Sequence, residues 1–132
     1  MAHRSGTVLL VEDDDDVRNA ILEVLEDNGY RVIGAANGKD ALDTIRTTSL
    51  KPALVLLDLM MPVMDGPTFR AAQRDDPTLE GIPVVVLTAH PRGEETAASL
   101  QAAGFLRKPI SLEKLLATVG RFCGAGVPNG SF

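Results

Sequence analysis

The chain alternates between short, continuous apolar runs and longer segments in which apolar residues recur every three or four positions. Short apolar runs bounded by turn residues are typical of strands buried on both faces, whereas the wider spacing is typical of amphipathic helices. Because strand and helix patterns alternate five times, we predict ten elements. The predicted strands cover residues 7–11, 30–35, 54–57, 82–87 and 105–107.

The five helical segments are each bounded by residues that cap or stop helices. The first begins after an acidic run and ends at Asn28 and Gly29, and the fourth is an Ala-rich segment over residues 94–103. The fifth is the most amphipathic, which predicts that one complete face packs against the sheet. The predicted inward residues are Val17, Ala20, Ile21, Val24 and Leu25 of the first helix, Ala41, Leu42 and Ile45 of the second, Phe69 and Ala72 of the third, and Leu112, Leu115, Leu116, Val119, Phe122 and Cys123 of the fifth.

The apolar runs of the central strands predict the fold class. Strands without polar alternation favour a parallel sheet with helices on both faces, which is the doubly wound α/β arrangement. The second run is less apolar than the others and is expected at a sheet edge. We expect one domain over residues 7–123, with flexible segments at residues 1–6 and 124–132.

Composition excludes several classes of protein. The 132 residues carry a net charge of −5, which argues against a nucleic-acid-binding surface, since that surface needs a basic patch. No apolar run approaches the roughly 18 residues of a membrane span, and the first residues contain no signal-peptide core. We therefore expect a cytoplasmic protein without membrane contact. The single cysteine, Cys123, cannot form an internal disulfide and is predicted to be a buried structural thiol.

Five consecutive acidic residues, 12–16, separate the first predicted strand from the first helix. Acids at a helix N-cap and in its first turn are favoured by the free backbone amides and the helix dipole, so two or three of them need no further function. Glu12 and Asp13 precede the predicted cap at Asp14 or Asp15. We therefore expect a functional role for these two residues.

Asp58 follows the third apolar run and allows two interpretations. It can cap the following loop, or it can be an active-site carboxylate. The carboxyl ends of parallel strands meet at one edge of the sheet, which is where ligands bind in this fold class. Thr88 ends the fourth strand and Lys108 the fifth. Together with Glu12 and Asp13, they predict a site around Asp58.

The predicted site contains the groups that phosphoryl transfer requires. Three carboxylates in one pocket repel one another unless a cation neutralises them, and oxygen-only ligands favour Mg²⁺ over zinc or a calcium cage. A carboxylate beside Mg²⁺ can attack phosphorus in line, while an ammonium group and a hydroxyl contact the phosphoryl oxygens.

In these residues the chain closely resembles the receiver domain of two-component response regulators. The resemblance covers about residues 7–122 and depends on the acidic pair, the segment 58–66, Thr88-Ala89 and Lys108-Pro109. It implies the flavodoxin-like strand order 2-1-3-4-5 and a cis peptide bond before Pro109.

The same resemblance implies a reaction and a set of residue roles. The phosphoryl donor is a phosphohistidine of a sensor histidine kinase or of a phosphotransfer protein. The chain is then a signalling switch, not an enzyme for external substrates, and it catalyses only its own phosphorylation and slow dephosphorylation. The implied roles are Asp58 as the phosphoacceptor, Glu12, Asp13, Asp58 and the backbone carbonyl of Met60 as Mg²⁺ ligands, and Thr88 and Lys108 as contacts of the phosphoryl group.

A conformational switch is also implied. Thr88 moves toward the phosphoryl group while Phe105, the aromatic residue of the fifth strand, rotates inward, although a plain core role is equally compatible with Phe105. The surface of helix four, strand five and helix five then contacts a downstream protein, as a monomer or a phosphorylation-dependent dimer. Because the segment from Thr88 to Lys108 is slightly shorter than usual in the family, we expect helix four to be short, mobile or displaced.

Two other functions fit parts of the pattern. Small Mg²⁺-dependent phosphatases of the haloacid-dehalogenase type also use an Asp nucleophile, but they have a second acid where this chain has Met60. A receiver-like interaction module that takes no phosphate does not need the intact set of polar residues. His90 is interpreted as a solvated loop histidine without a catalytic role, and Asp65 as the cap of helix three.

Overall fold

The computed structural model describes residues 6–48, 51–59, 66–76 and 81–123. Within these ranges, five strands alternate with five helices, as the sequence predicts. The strands are β1 (Thr7–Val11), β2 (Arg31–Ala35), β3 (Leu54–Asp58), β4 (Val84–Thr88) and β5 (Gly104–Arg107), and the helices are α1 (Asp15–Asp27), α2 (Gly38–Thr48), α3 (Gly66–Arg74), α4 (Gly93–Ser99) and α5 (Leu112–Phe122).

The strands form one parallel sheet in the order β2-β1-β3-β4-β5. Both the predicted strand order and the edge position of β2 are confirmed. Every residue of β1, β3 and β4 is buried, whereas β2 is partly exposed. Since side chains point to both faces of a strand and helices cover both faces of this sheet, the central strands need apolar residues at successive positions.

Hydrophobic clusters lie on both faces of the sheet. On one face, α1 and α5 pack against alternate residues of the central strands, including Leu10 and Leu56. On the other face, α2 and α3 pack against the intervening residues, including Leu9 and Val55. A third, small cluster joins β4, α4 and the residue that follows β3. It consists of Leu59, Val86 and Ala97, with Leu100, Ala102 and Phe105 packed against it.

Helix α5 differs at one position from the predicted inward stripe. Leu115 and Val119 are buried, but Leu112 is 53% exposed, so its prediction as an inward residue was wrong. Leu112 is the first residue of α5. Ile110, just before the helix, packs against the core instead. Ala20 of α1 is also exposed, so its prediction as an inward residue was wrong as well.

Helix α4 is shorter than the predicted segment 94–103, because it ends at Ser99. Gln101 then adopts a left-handed conformation with φ of 58°, which stops the helix. The backbone amide of Ala103 donates to the carbonyl of Val84 at 2.7 Å, so the chain has already joined the sheet at that point. The expectation of a short helix four is confirmed.

Cys123 is 2% exposed, which confirms the predicted buried thiol. Burial disfavours the charged thiolate and raises the pKa of Cys123 to about 11. In the part of the chain that the structure describes, no helix is both long enough and apolar enough to cross a membrane.

Candidate functional site

The carboxyl ends of four strands open into one pocket with a volume of about 570 Å³. Parallel strands end at the same edge of the sheet, so the residues that end or follow them are neighbours in space. The predicted residues Glu12, Asp13, Asp58, Thr88 and Lys108 all line this pocket. Four separate sequence segments therefore contribute to one site.

Three carboxylates form the floor of the pocket. Glu12 is 1% exposed and Asp58 is 5% exposed, while Asp13 is open to solvent. One oxygen atom from each of the three lies within 4.8 Å of the others. Like charges at this separation repel, and three oxygen ligands with a solvent-open side fit a small hard cation that keeps some of its water. Met60, whose carbonyl is the predicted fourth ligand, lies outside the described residues.

The neighbouring acid Asp14 is the N-cap of α1. Its carboxylate accepts hydrogen bonds from the backbone amides of Asp16 at 2.9 Å and Val17 at 3.1 Å. Glu12 and Asp13 precede this cap, so helix capping does not account for their position. The predicted cap of α3, Asp65, lies outside the described residues.

Among the described residues that line the pocket, Lys108 supplies the positively charged side chain. Its Nζ lies 2.7 Å from Glu12 Oε1 and 3.7 Å from Asp58 Oδ2. Burial lowers the pKa of Lys108, but the hydrogen bond to Glu12 and the charges of Asp58 and Asp13 outweigh it, so the pKa is raised. The ammonium group therefore stays charged at neutral pH. The peptide bond from Lys108 to Pro109 is cis, as predicted.

Thr88 is buried at the end of β4, where its hydroxyl oxygen accepts a hydrogen bond from the backbone amide of His90 at 3.0 Å. A hydroxyl that accepts one bond can still donate its own hydrogen to another group. The ring of His90 is exposed, and its Nδ1 accepts from the backbone amide of Arg92 at 3.0 Å. These contacts agree with the interpretation of His90 as a loop residue.

Phe105 lies on β5 and is not among the described residues that line the pocket. It is half-buried and packs at the edge of the small cluster that includes Val86 and Ala97. The Arg107 guanidinium lies 5.7 Å from the centre of the Phe105 ring. The switch role of Phe105 stays a prediction.

Arg18 of α1 supports the pocket and was missed by the sequence analysis. Its Nη1 donates to the backbone carbonyl of Glu12 at 2.8 Å, and its Nη2 pairs with the carboxylate of Asp15. A Cβ at Gly34 of β2 would lie 3.3 Å from Cδ of Arg18, so Gly34 leaves room for the arginine. A glycine inside a strand pattern indicates such a close approach, and Gly34 was the available signal.

Comparisons with known proteins identify the family of this chain. The family model of the response regulator receiver domain matches residues 8–120. An uncharacterized 14.6 kDa protein of Leptolyngbya boryana is 35% identical over 124 residues, which cover 92% of this chain and 93% of that protein. The response regulator MprA of Mycolicibacterium vanbaalenii is 40% identical over 112 residues, which cover 83% of this chain but 47% of MprA. This chain thus spans about half the length of MprA.

Solved structures show the same architecture. The chemotaxis protein CheY4 of Vibrio cholerae superimposes with a TM-score of 0.79 and is 32% identical, and the match covers 89% of this chain and 98% of CheY4. The family match extends over most of the chain and contains all the described pocket residues. The chain belongs to the response regulator receiver domains of two-component signalling.

Proposed function

We propose that this chain is a phosphoacceptor switch in which Asp58 receives a phosphoryl group from a phosphohistidine on a sensor histidine kinase or phosphotransfer protein. The observation that carries the proposal is the position of Asp58. Its buried carboxylate lies at the end of a central strand, within one pocket with two further carboxylates and the ammonium group of Lys108. A capping role for Asp58 alone would not require these neighbours.

The acidic cluster supports a divalent cation as the cofactor. Glu12, Asp13 and Asp58 would hold Mg²⁺, together with the backbone carbonyl of Met60. Bound there, Mg²⁺ neutralises part of the negative charge of the carboxylates and of the incoming phosphoryl group. The exposed position of Asp13 leaves an open side through which the donor can reach Asp58.

The proposed transfer is an in-line displacement at phosphorus. A carboxylate oxygen of Asp58 forms the new bond to phosphorus while the bond from phosphorus to the donor imidazole nitrogen breaks, and that nitrogen keeps the electron pair. Lys108, already 3.7 Å from Asp58 Oδ2, neutralises charge on the phosphoryl oxygens. The hydroxyl of Thr88 donates to one of these oxygens after its side chain moves. Attack of water on the acyl phosphate later restores Asp58 and releases orthophosphate.

The proposed output is a change in the surface formed by α4, β5 and α5. Thr88 is linked through the His90 amide to the loop that enters α4, and Phe105 packs against the cluster beneath α4. Displacement of Thr88 toward the phosphoryl group would break its hydrogen bond to the His90 amide, and a resulting shift of α4 would alter the packing of Phe105. A population shift between two arrangements of this surface then signals to a downstream protein.

Phosphorylation by a small donor tests the proposal. With Mg²⁺ and phosphoramidate, we expect intact-mass analysis to show one added phosphoryl group that hydroxylamine removes. Asp58→Asn should abolish the modification, whereas Asp16→Asn, which changes an exposed acid of the same helix–loop region, should leave it in place. Persistence of the label in Asp58→Asn would reject the acceptor assignment. Turnover of small phosphate esters by the wild type would favour a phosphatase instead.

The metal site has its own test. Asp13→Asn removes one negative charge from the cluster, so we expect the affinity for Mg²⁺ to fall about tenfold or more, as loss of a charged ligand typically weakens oxygen-ligand sites. Isothermal titration with Mg²⁺ measures this affinity. Asp16→Asn is again the matched control and should bind Mg²⁺ like the wild type. An unchanged affinity in Asp13→Asn would contradict the ligand assignment.

A further inference from the structure

Gly93, the first residue of α4, leaves the space that the side chain of Thr88 occupies. A Cβ at position 93 would overlap the Thr88 methyl carbon Cγ2, and it would lie 3.3 Å from Thr88 Cβ and 3.4 Å from Oγ1. The three nearest atoms thus all belong to Thr88. Gly93 does not have a positive φ, so its backbone conformation is open to other residues. The contact with Thr88 is therefore the structural reason for a glycine here.

Strand alternation explains why Thr88 lies beneath α4. Thr88 points to the same face as Val86, two residues earlier, and Val86 packs against Ala97 of α4. By the same alternation, the Asp58 side chain points to the same face as Leu56, which packs in the cluster covered by α1 and α5. The Thr88 side chain is therefore directed toward α4, away from the face on which Asp58 lies.

Two hydrogen bonds hold this arrangement. The His90 amide donates to Thr88 Oγ1 at 3.0 Å, and the Gly93 amide donates to the carbonyl of His90 at 3.0 Å. Thr is branched at Cβ, so its methyl and hydroxyl rotate together about a single torsion. The methyl can leave Gly93 only if the hydroxyl also leaves the His90 amide.

We propose that Gly93 is a positioning residue, because it provides the place beside α4 that the Thr88 methyl occupies. A side chain at position 93 would exclude this rotamer and favour the one that turns toward Asp58. This inference rests on the proposed role of Thr88 as a contact of the phosphoryl group. It makes Gly93 a determinant of how readily the unphosphorylated chain adopts the phosphorylated arrangement.

The test is a double-mutant cycle of Gly93→Ala with Thr88→Ser. Serine keeps the hydroxyl but lacks Cγ2, so the alanine methyl can be accommodated in that background. The readout is the affinity for trifluoroberyllate, a tetrahedral analogue of the phosphoryl group, in the presence of Mg²⁺. We expect Gly93→Ala to tighten binding about fivefold or more in the wild-type background and to change it little in the Thr88→Ser background, since couplings between sites are of this order.

The cycle separates the contact from general effects of the substitution. Alanine raises helix propensity over glycine in both backgrounds, so that contribution cancels in the comparison. An equal change in both backgrounds would mean that the effect does not depend on the Thr88 methyl. Weaker binding in the wild-type background would mean that α4 moves and Thr88 does not. Either result would overturn the inference. A Gly93→Ala variant that folds only when combined with Thr88→Ser would overturn it for the same reason.

A measurement without any phosphoryl analogue distinguishes this inference from the proposed function. Three-bond NMR couplings to the Thr88 methyl report its χ1 rotamer in the unphosphorylated protein. We expect a different rotamer in Gly93→Ala from that in the wild type, and the same rotamer in both would contradict the inference. Failure of the wild type to bind trifluoroberyllate would instead count against the proposed function.

Discussion

At the scale of single residues, the acids that follow β1 have two different roles. The Asp14 carboxylate accepts hydrogen bonds from two backbone amides of α1, so it stabilises the helix. The carboxylate of Glu12 accepts a hydrogen bond from the ammonium group of Lys108, so it belongs to the pocket. Glu12 Oε2 also accepts from the backbone amide of Asp14 at 3.2 Å, but this contact does not use the Asp14 side chain. Substitution of that side chain should therefore separate helix stability from metal binding.

Asp14→Ala removes the two cap hydrogen bonds, so we expect the free energy of unfolding to fall by about 1 kcal/mol, as is typical of a lost N-cap. Asp14→Asn is the matched control because an Asn side chain caps nearly as well. Urea unfolding measures both variants. If Asn cost as much as Ala, the charge at position 14 would be the stabilising feature and the cap hydrogen bonds would not.

Cys123 predicts a dependence of stability on pH. Burial raises its thiol pKa from 9.0 to about 11, so the folded state keeps the proton over a range in which the unfolded chain releases it. The resulting stability is complete below about pH 9 and is lost as the pH rises through about 11. We expect the free energy of unfolding of the wild type to fall more over this range than that of Cys123→Ala.

Comparison of the two proteins isolates the thiol. The pKa of Lys108 is also raised, so its contribution is lost as the pH rises above the usual lysine value of 10.5, but this loss occurs equally in both proteins. Urea midpoints at several pH values provide the profiles. Parallel profiles for the wild type and Cys123→Ala would contradict the assignment.

The acid pair, Asp58, Thr88 and Lys108 could be found from the sequence because strand ends are visible as apolar runs that stop at polar residues. The residues that support the site could not be found from the sequence in this way. Arg18 acts through a carbonyl on a different element, and Gly93 acts through the space it leaves for Thr88. Neither contact follows from a local pattern, since each joins residues that meet only after folding.

At the scale of elements, α4 is held from both ends. Thr88 and the preceding loop contact its first residue, while Arg70 of α3 binds the chain just after its last turn. The Arg70 Nε donates to the carbonyl of Leu100 at 3.0 Å, and its Nη2 donates to the carbonyl of Gln101 at 2.9 Å. These carbonyls therefore have partners although α4 ends early.

A buried glutamine orients this arginine. The Gln73 side-chain oxygen accepts from Arg70 Nη1 at 2.9 Å, and its Nε2 donates to the carbonyl of Ile82 at 2.9 Å. Gln73 is 1% exposed. The pair links α3 to the segment just before β4 and to the residues just after α4. Since Arg70 precedes Leu100 by 30 residues, sequence periodicity could not predict where α4 ends.

Arg70→Lys tests this link. Lysine cannot reproduce the planar set of donors, so we expect the free energy of unfolding to fall by about 1–2 kcal/mol. Amide hydrogen exchange in α4 should also become faster, because that end of the helix loses its partner. Arg74→Lys changes an exposed arginine of the same helix and should have little effect. Equal effects of the two substitutions would contradict the role of Arg70.

Element boundaries were predicted best where burial is uniform. The strands β1, β3 and β4 are buried at every position, and their apolar runs mark them clearly. The exposed Leu112 shows the opposite case, because the apolar stripe continues to the first residue of α5, whereas Ile110, just before the helix, packs against the core in its place. Periodicity reports direction around a helix and does not report how far the core extends along it.

At the scale of the whole molecule, the parallel sheet brings distant residues to one edge. Lys108 and Glu12 are 96 residues apart in sequence, yet their side chains are 2.7 Å apart. The same edge adjoins α4 through Thr88, and α4 and β5 share the small cluster with Phe105. In the proposed switch, a charge placed on Asp58 would act on the outer surface through few intermediate contacts.

The central claim is that Asp58 accepts the phosphoryl group in an Mg²⁺-dependent reaction, and chemical mapping tests it most directly. After incubation with phosphoramidate, borohydride converts an aspartyl phosphate to homoserine, which fragment mass spectra locate in the sequence. We predict homoserine at position 58 in the wild type, only when Mg²⁺ is present. Homoserine at Asp13 or another acid, or equal labelling of position 58 after chelation of Mg²⁺, would contradict the account.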